Sequence, residues 1–324
     1  MKCISKLLCI VLSATILLSG CGNSNKIIEK EYNAYSYHNS YTNQDYSINA
    51  DYFAKDLCVT NAINFGLEGT YAEVAKGGGV FNVSTNEVLY NQNIFDKLYP
   101  ASTTKILTAY IIIKDCDLND VVTVSESAAD QASDSSTCGL NAGDNITVND
   151  LLYGLMLNSG NDAAEALAEY HSGSIEAFAE VMTKEAHKLG ATNSKFMNPS
   201  GLPQKGHYTT VYDMYLIFKE AIKQDKFVEL IEASSKRAVF TNANGATVEK
   251  TFRSTNRYKS GVVKTPSGFE VIGGKTGTTF NAGFCLVLYS KNPQGQDIIS
   301  IVFKADGQHN LYLLMNQILT KYAK

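Results

Sequence analysis

Basic residues are in short supply in this chain. Lysine and arginine number 28 against 32 aspartates and glutamates, giving a formal charge of −4 and a pI near 5.8. Without a basic excess there is no electrostatic footprint for a phosphate backbone, so nucleic acid is excluded as a partner. No CxxC or HExxH occurs, and His38, His171, His187, His207 and His309 keep no ligand spacing. A zinc site is therefore not expected, and neither a metal nor an organic cofactor is called for. Tryptophan is absent while tyrosine is abundant, at 19, a bias that carries no functional reading. No internal repeat is evident. The most apolar stretch, Leu7 to Leu18, is too short to span a bilayer. What is left is ordinary globular composition, 44% hydrophobic and 19% charged over 324 residues, enough for one large domain or two smaller ones.

That short apolar stretch is informative through its flanks. Met1 to Lys6 carries two lysines and no acid, and the stretch closes on Leu18-Ser19-Gly20-Cys21. A basic start, a short apolar run and small residues at its end form a secretory signal pattern. The last four residues resemble the lipobox of bacterial lipoproteins. The resemblance implies cleavage before Cys21, lipid on its thiol, and a protein held at the outer face of the cell membrane. Residues 22 to about 55 are rich in Asn, Tyr and Ser without apolar periodicity, as in a flexible polar tether. The expected organisation is a signal over 1–20, a tether over 21–55 and a folded domain over 56–324. Of the cysteines beyond the signal and Cys21, Cys58, Cys116, Cys138 and Cys285 remain, irregularly spaced; outside the cytoplasm either thiols or disulfides fit.

Within the domain, Gly79–Val83 and Glu87–Tyr90 form a predicted hairpin about Ser84-Thr85-Asn86. Helices are predicted from Ser102 onward, from the Thr147-x-x-Asp150 capping pattern to Leu157, from Asp162 to Tyr170, from Ser174 to Gly190, and from Met214 to Ile222 behind Thr210. After about residue 235 strands return: Arg237–Phe240, Thr247–Phe252, Val271 onward, and a hairpin of Gly283–Tyr289 with Asp297–Phe303. Leu311–Tyr322 closes the chain with an amphipathic helix. Strands early and late with helices between predict an α+β fold. Its antiparallel sheet is built from both chain ends, with a helical subdomain, about 115–235, inserted between.

Three short motifs carry the chemistry: Ser102-Thr103-Thr104-Lys105, Ser159-Gly160-Asn161 and Lys275-Thr276-Gly277-Thr278. Each alone is weak; their order and placement are not. Residues i and i+3 share a helix face, so Lys105 can reach the Ser102 hydroxyl. Serine becomes a nucleophile when a neighbouring base takes its proton, and lysine is a base only when neutral. Burial and a second cation, here Lys275, both favour the neutral amine. Ser159 is placed to relay a proton between Lys105 and a leaving amine, and Asn161 to bind a substrate amide. Lys275-Thr276-Gly277-Thr278 reads as a strand edge along which a peptide can lie, Gly277 permitting close approach and Lys275, Thr276 and Thr278 holding its carboxylate. The N–H groups of Ser102 and Thr278 are oxyanion-hole candidates.

The flanks of these motifs resemble the low-molecular-mass penicillin-binding proteins, the serine D-alanyl-D-alanine carboxypeptidases. The resemblance is carried by Tyr99-Pro100-Ala101-Ser102, Leu157-Asn158-Ser159-Gly160-Asn161-Asp162, Gly274 to Thr279, Ala282-Gly283-Phe284 and Phe196 to Leu202, over residues 75 to 320. It implies a transpeptidase/serine β-lactamase-like fold. It also implies an acyl-enzyme on Ser102, peptidoglycan stem peptides ending in D-Ala-D-Ala as substrates, and β-lactams as covalent inhibitors. Two features depart from the family: Ser200 stands where many members carry His, and with the sequence ending at Lys324 the extra β-domain and amphipathic C-terminal anchor that many members carry are not expected, a lipid on Cys21 replacing that anchor. A class A β-lactamase would place an acid on the loop after the second motif, and Ala191 to Gly206 holds neither Glu nor Asp. A non-catalytic penicillin sensor, the other alternative, would call for a transmembrane signalling segment, and none is visible after residue 21. Whether the acyl group passes to water or to an amine stays open.

Overall fold

The computed structural model describes residues 54–324; the signal-like segment 1–20, Cys21 and the polar stretch through Phe53 lie outside the described residues. The first strands, β1 (Gly77–Asn82) and β2 (Glu87–Gln92), form the predicted antiparallel hairpin. Asn82 Oδ1 accepts from the N–H groups of Ser84 and Thr85, both at 3.1 Å. This Asx-type turn explains why a short polar run reverses the chain here.

The nucleophile segment opens as a 3-10 turn, Ala101–Thr104, and only then becomes the helix α1 (Lys105–Asp115). Every residue of it from Lys105 to Ile112 is buried. A helix apolar on all sides belongs inside a core, and α1 is the central helix. Next come β3 (Val121–Thr123), a short α2 (Glu126–Ala129), β4 (Asn145–Thr147) and α3 (Val148–Tyr153). Thr147 caps α3 by accepting from the Asp150 N–H at 3.1 Å, as its pattern required. The helix stops short of Leu157: Gly154–Asn158 widens into a π-helical turn that delivers the second motif. Such turns recur at functional sites because the extra residue re-aims the chain.

The helices α4 (Asn161–Ser172), α5 (Ile175–Lys188) and α6 (Val211–Ala221) follow, the last two capped by Ser174 and Thr210. An amphipathic α7 (Asp225–Glu232), which the sequence pattern did not single out, precedes β5 (Ser235–Thr241) and β6 (Thr247–Arg253). The chain finishes with β7 (Glu270–Thr279), β8 (Gly283–Lys291), β9 (Asp297–Ala305) and α8 (Gln308–Tyr322).

The fold is α+β. Its main sheet is antiparallel, ordered β2-β1-β9-β8-β7, so the two chain ends of the domain share one sheet. The pair β5 and β6 does not join it. Through Asn145↔Thr241 it extends β3 and β4 into a second, four-stranded sheet beside the helices. Strands of three residues leave too short a pattern to announce that sheet in the sequence. On the main sheet, Phe81 stacks on Tyr215 of α6 with centroids 4.2 Å apart on one face. Leu286, Leu288 and Val302 pack with Leu314, Met315 and Ile318 of α8 on the other. With both faces covered, β9 is an almost unbroken apolar run instead of an alternating one. Cys58, Cys116, Cys138 and Cys285 are all free thiols.

Candidate active site

The 3-10 turn sets the first contact. With three residues per turn, positions i and i+3 eclipse, and Lys105 Nζ lies 3.1 Å from Ser102 Oγ. The amine has two other partners, Asn161 Oδ1 at 2.8 Å and the main-chain carbonyl of Ser200 at 2.7 Å. A neutral amine owns two hydrogens and one lone pair. Two pure acceptors take the hydrogens, and the lone pair is left facing the Ser102 hydroxyl. Lys105 is completely buried. That burial, and secondly the charge of Lys275, drive its pKa well below the usual lysine value, which favours the neutral form this geometry needs.

Lys275, on β7, is equally buried, and burial pushes its pKa down to about 7. It donates to Ser159 Oγ at 2.9 Å and to the Thr276 carbonyl at 3.0 Å. The three motifs therefore meet: Ser102 and Lys105 with Asn161, and Ser159 with Lys275. The contacts add detail to the sequence reading. Ser159 is bonded to Lys275, whereas Asn161 spends its oxygen on Lys105 and keeps its amide hydrogens for a substrate. Ser159 stands in the left-handed region, at φ 61°. For a side chain with a Cβ this costs on the order of 1–2 kcal/mol. Main-chain bonds just after it hold it there, from the Gly160 N–H to the Gly154 carbonyl at 3.2 Å and from the Asn161 N–H to the Ser136 carbonyl at 2.8 Å.

Gly277 has an equally specific reason. A Cβ at this position would stand 2.9 Å from the Ser102 nitrogen and 3.0 Å from both Pro100 O and Thr103 N, so β7 runs directly against the nucleophile turn. Gly277→Ala must push backbone from backbone, and a displacement approaching 1 Å costs about 100-fold in rate. A penicillin acylation rate lowered by about that factor, with an unchanged circular dichroism spectrum, is the expected outcome. A wild-type rate would show that the strand and the turn need not touch.

A cleft of about 270 Å³ opens in front of Ser102, walled by Asn161, Thr278 and Thr279 and edged by Leu202 and the exposed Phe280. Several contributors lie outside the motifs. Thr255 Oγ1 is 2.6 Å from Thr276 Oγ1. Asp162 takes the N–H groups of Cys138 at 2.9 Å and Leu140 at 3.0 Å, tying the segment that follows the cleft residues Asp134, Ser135 and Ser136 to the start of α4. Its place in a helix's first turn was the available signal. The Ser200 carbonyl had none, because any residue supplies a carbonyl. For the same reason, the acceptor for Lys105 does not depend on which side chain stands at position 200. Among the described residues, no group of three or more His, Cys, Asp or Glu side chains could hold a metal ion.

Residues 74–307 match the peptidase S11 family model, described as D-alanyl-D-alanine carboxypeptidase. The chain is 35% identical over 239 residues to the D-alanyl-D-alanine carboxypeptidase DacF of Bacillus subtilis, covering 72% of this chain and 58% of that protein. It is 35% identical over 235 residues to DacC of Escherichia coli, covering 70% and 55%. The D-alanyl-D-alanine carboxypeptidase of Streptomyces sp. K15 is 33% identical over 239 residues, covering 70% and 80%. The chain thus spans little more than half the length of the first two relatives. Among solved structures, the Streptomyces K15 DD-transpeptidase superposes with a TM-score of 0.69 at 29% identity, covering 76% of this chain and 97% of that one. Penicillin-binding protein 5 of Haemophilus influenzae gives 0.66 at 26% identity, covering 81% and 72%.

Proposed function

The chain belongs to the peptidase S11 family of D-alanyl-D-alanine carboxypeptidases, and from that premise we propose that it removes the terminal D-Ala from peptidoglycan stem peptides through an acyl-enzyme on Ser102. The observation that carries the proposal is the 3.1 Å approach of a fully buried lysine amine to the serine hydroxyl, with the amine's other two contacts both acceptors.

Lys105 takes the Ser102 proton while the oxygen attacks the penultimate D-Ala carbonyl. The oxyanion forms beside the Ser102 N–H and the adjoining β7 backbone at Thr278. Such a donor is worth about 3 kcal/mol of transition-state stabilisation where one has been removed. After the attack the two lysines hold one extra proton between them. Ser159 Oγ accepts from Lys275, which leaves its own hydrogen to give to the departing amine as the C–N bond breaks. Replenishing that hydrogen from the lysine pair returns Lys105 to the neutral form, ready to draw a proton from the water that cleaves the ester. Asn161, Lys275, Thr276, Gly277 and Thr278 hold the peptide, laid along β7 with its carboxylate toward Thr276. β-Lactams, whose strained amide occupies the same position, acylate Ser102 in its place.

Mass spectrometry of an N-acylated peptide ending in D-Ala-D-Ala tests this. Loss of one alanine is the expected result. An unaltered peptide, with penicillin still bound covalently, would reduce the protein to a sensor. The N-terminal pattern supports a further part of the proposal: the protein is exported and held at the outer face of the membrane by lipid on Cys21. Cys21→Ser should then release it from the membrane fraction, and retention of the variant there would refute the anchor.

A further inference from the structure

One buried titratable side chain close to the site takes no part in this chemistry. His207 precedes α6 and is almost completely enclosed. Both ring nitrogens are engaged: Nδ1 lies 3.2 Å from the Met197 nitrogen and Nε2 lies 3.0 Å from Thr104 Oγ1. The Met197 N–H can only donate, so Nδ1 must be the bare nitrogen, and Nε2 carries the hydrogen and donates to Thr104. The Phe196 ring stands edge-on to the imidazole at 5.6 Å. Burial pushes the imidazole down to about 4, so near neutrality the ring keeps this single tautomer.

The two groups it joins are the ones whose relative position matters. Thr104 is the last residue of the nucleophile turn, directly before Lys105. Met197 leads into the loop whose Ser200 carbonyl takes a hydrogen of the Lys105 amine at 2.7 Å. That loop is tied to α1 a second time by Thr108 Oγ1, which donates to the Pro199 carbonyl at 2.8 Å. It approaches too closely for side chains: a Cβ on Gly201 would fall 1.9 Å from the Ala101 oxygen.

We propose that His207 is a positioning residue for the general base: by bridging Thr104 and Met197 it holds the Ser200 carbonyl where that carbonyl turns the lone pair of Lys105 toward Ser102. The inference rests on the reading of Lys105 as the base. It assigns His207 no contact with substrate. Loosening the bridge lets the loop lift from the turn, with two consequences. The amine loses a fixed acceptor, so its lone pair is no longer aimed. Water reaches the amine, and since burial is the largest influence on its pKa, the ammonium form gains. The titratable groups acting on Lys105, namely Lys275, Cys138, Asp162 and Glu165, lie outside the loop and stay where they are.

The main chain around His207 is held without the imidazole. Tyr208 pairs with Lys195 through two main-chain bonds of 2.9 Å, and Thr209 pairs with Leu98 at 2.8 and 3.0 Å. His207→Ala is therefore expected to fold. The measurement is the rate of acylation by a fluorescent penicillin from pH 5 to 9, per folded molecule, for the wild type, His207→Ala, His207→Gln and Thr104→Val. His207→Ala should be slower by between about 10- and 100-fold, with the acid limb of its profile moved upward by about one unit. Affinity for the complex that precedes acylation should not change, because Lys275 and Thr276 are untouched. Glutamine, whose amide offers an acceptor and a donor with the spacing of the two ring nitrogens, should recover most of the loss. Thr104→Val should reproduce part of it.

A wild-type rate and pH profile in folded His207→Ala would overturn the inference. So would a wild-type profile in Thr104→Val, should the alanine variant fail to fold. Neither outcome touches the assignment of Lys105, which stands or falls on its own substitutions.

Discussion

Ser102→Ala will abolish covalent labelling by a fluorescent penicillin and will stop release of D-alanine, while leaving the fold in place. The substitution removes the oxygen that forms the ester, so no alternative arrangement of the remaining groups restores a covalent adduct. Loss of a serine nucleophile in a comparable hydrolase lowers kcat by about 10⁶, the residue of activity coming from binding and the oxyanion site. The fold survives because the turn does not depend on the hydroxyl. Thr103 Oγ1 donates to the Pro100 carbonyl at 2.7 Å, and Lys105 keeps its bonds to Asn161 and Ser200. Denaturing gel fluorescence reads the label, and thermal unfolding reads the fold. A labelled, correctly folded alanine variant would end the acyl-enzyme reading altogether.

Lys105→Arg and Lys105→Ala should each cost between about 100- and 10,000-fold in acylation, the usual worth of a positioned base. The arginine variant separates charge from basicity. A guanidinium stays protonated at any pH the protein survives, so it supplies positive charge and hydrogen bonds but no lone pair. If acylation needed only a cation beside the serine, arginine would serve. The alanine variant also strands the Asn161 oxygen and the Ser200 carbonyl in a buried site, at about 1–3 kcal/mol for each unsatisfied group, so its rate must be taken per folded molecule.

The wild-type pH profile gives the matching sign. Ammonium has no lone pair. Acylation must therefore fall as pH drops through the pKa of Lys105, tenfold per unit below it. Because burial and Lys275 hold that pKa well under the ordinary lysine value, the enzyme should keep a plateau at pH values where an exposed lysine would be fully charged. Stopped-flow acylation across the pH range reads both features. Near-normal acylation by the arginine variant, or a rate that rises toward acid, would remove Lys105 from the role of base.

Much of the local structure was legible because its causes are local. Thr147, Ser174 and Thr210 each accept from the N–H three residues on, as their spacing demands. The turns at Asn82–Asn86 and Asn292–Gln296 follow from asparagine side chains bonding main chain a few residues away. The misses share the opposite character. The helix Asp225–Glu232 is short enough for its apolar residues to pass for a loop's. The π-helical turn at Gly154–Asn158 and the left-handed Ser159 are conformations that no intrinsic preference of Leu, Met or Ser selects; surrounding packing imposes them. Ser200 contributes a carbonyl, and a carbonyl leaves no mark on sequence. His207 was set aside with the other histidines because its partners, Thr104 and Met197, are remote from it or unremarkable in type.

By itself, then, the sequence determined which residues hold reactive groups, the order of the three motifs, and most helices and hairpins, because these depend on energies acting within about four residues along the chain. The tertiary structure alone decided that residues 102, 159 and 275 meet, that Asn161 serves Lys105 while Ser159 serves Lys275, and that the four thiols of the domain stay unpaired. It also decided the burial that favours the neutral amine the proposed chemistry needs. That burial is the removal of water by segments far apart in the chain, and desolvation belongs to the assembled core, not to any stretch of sequence.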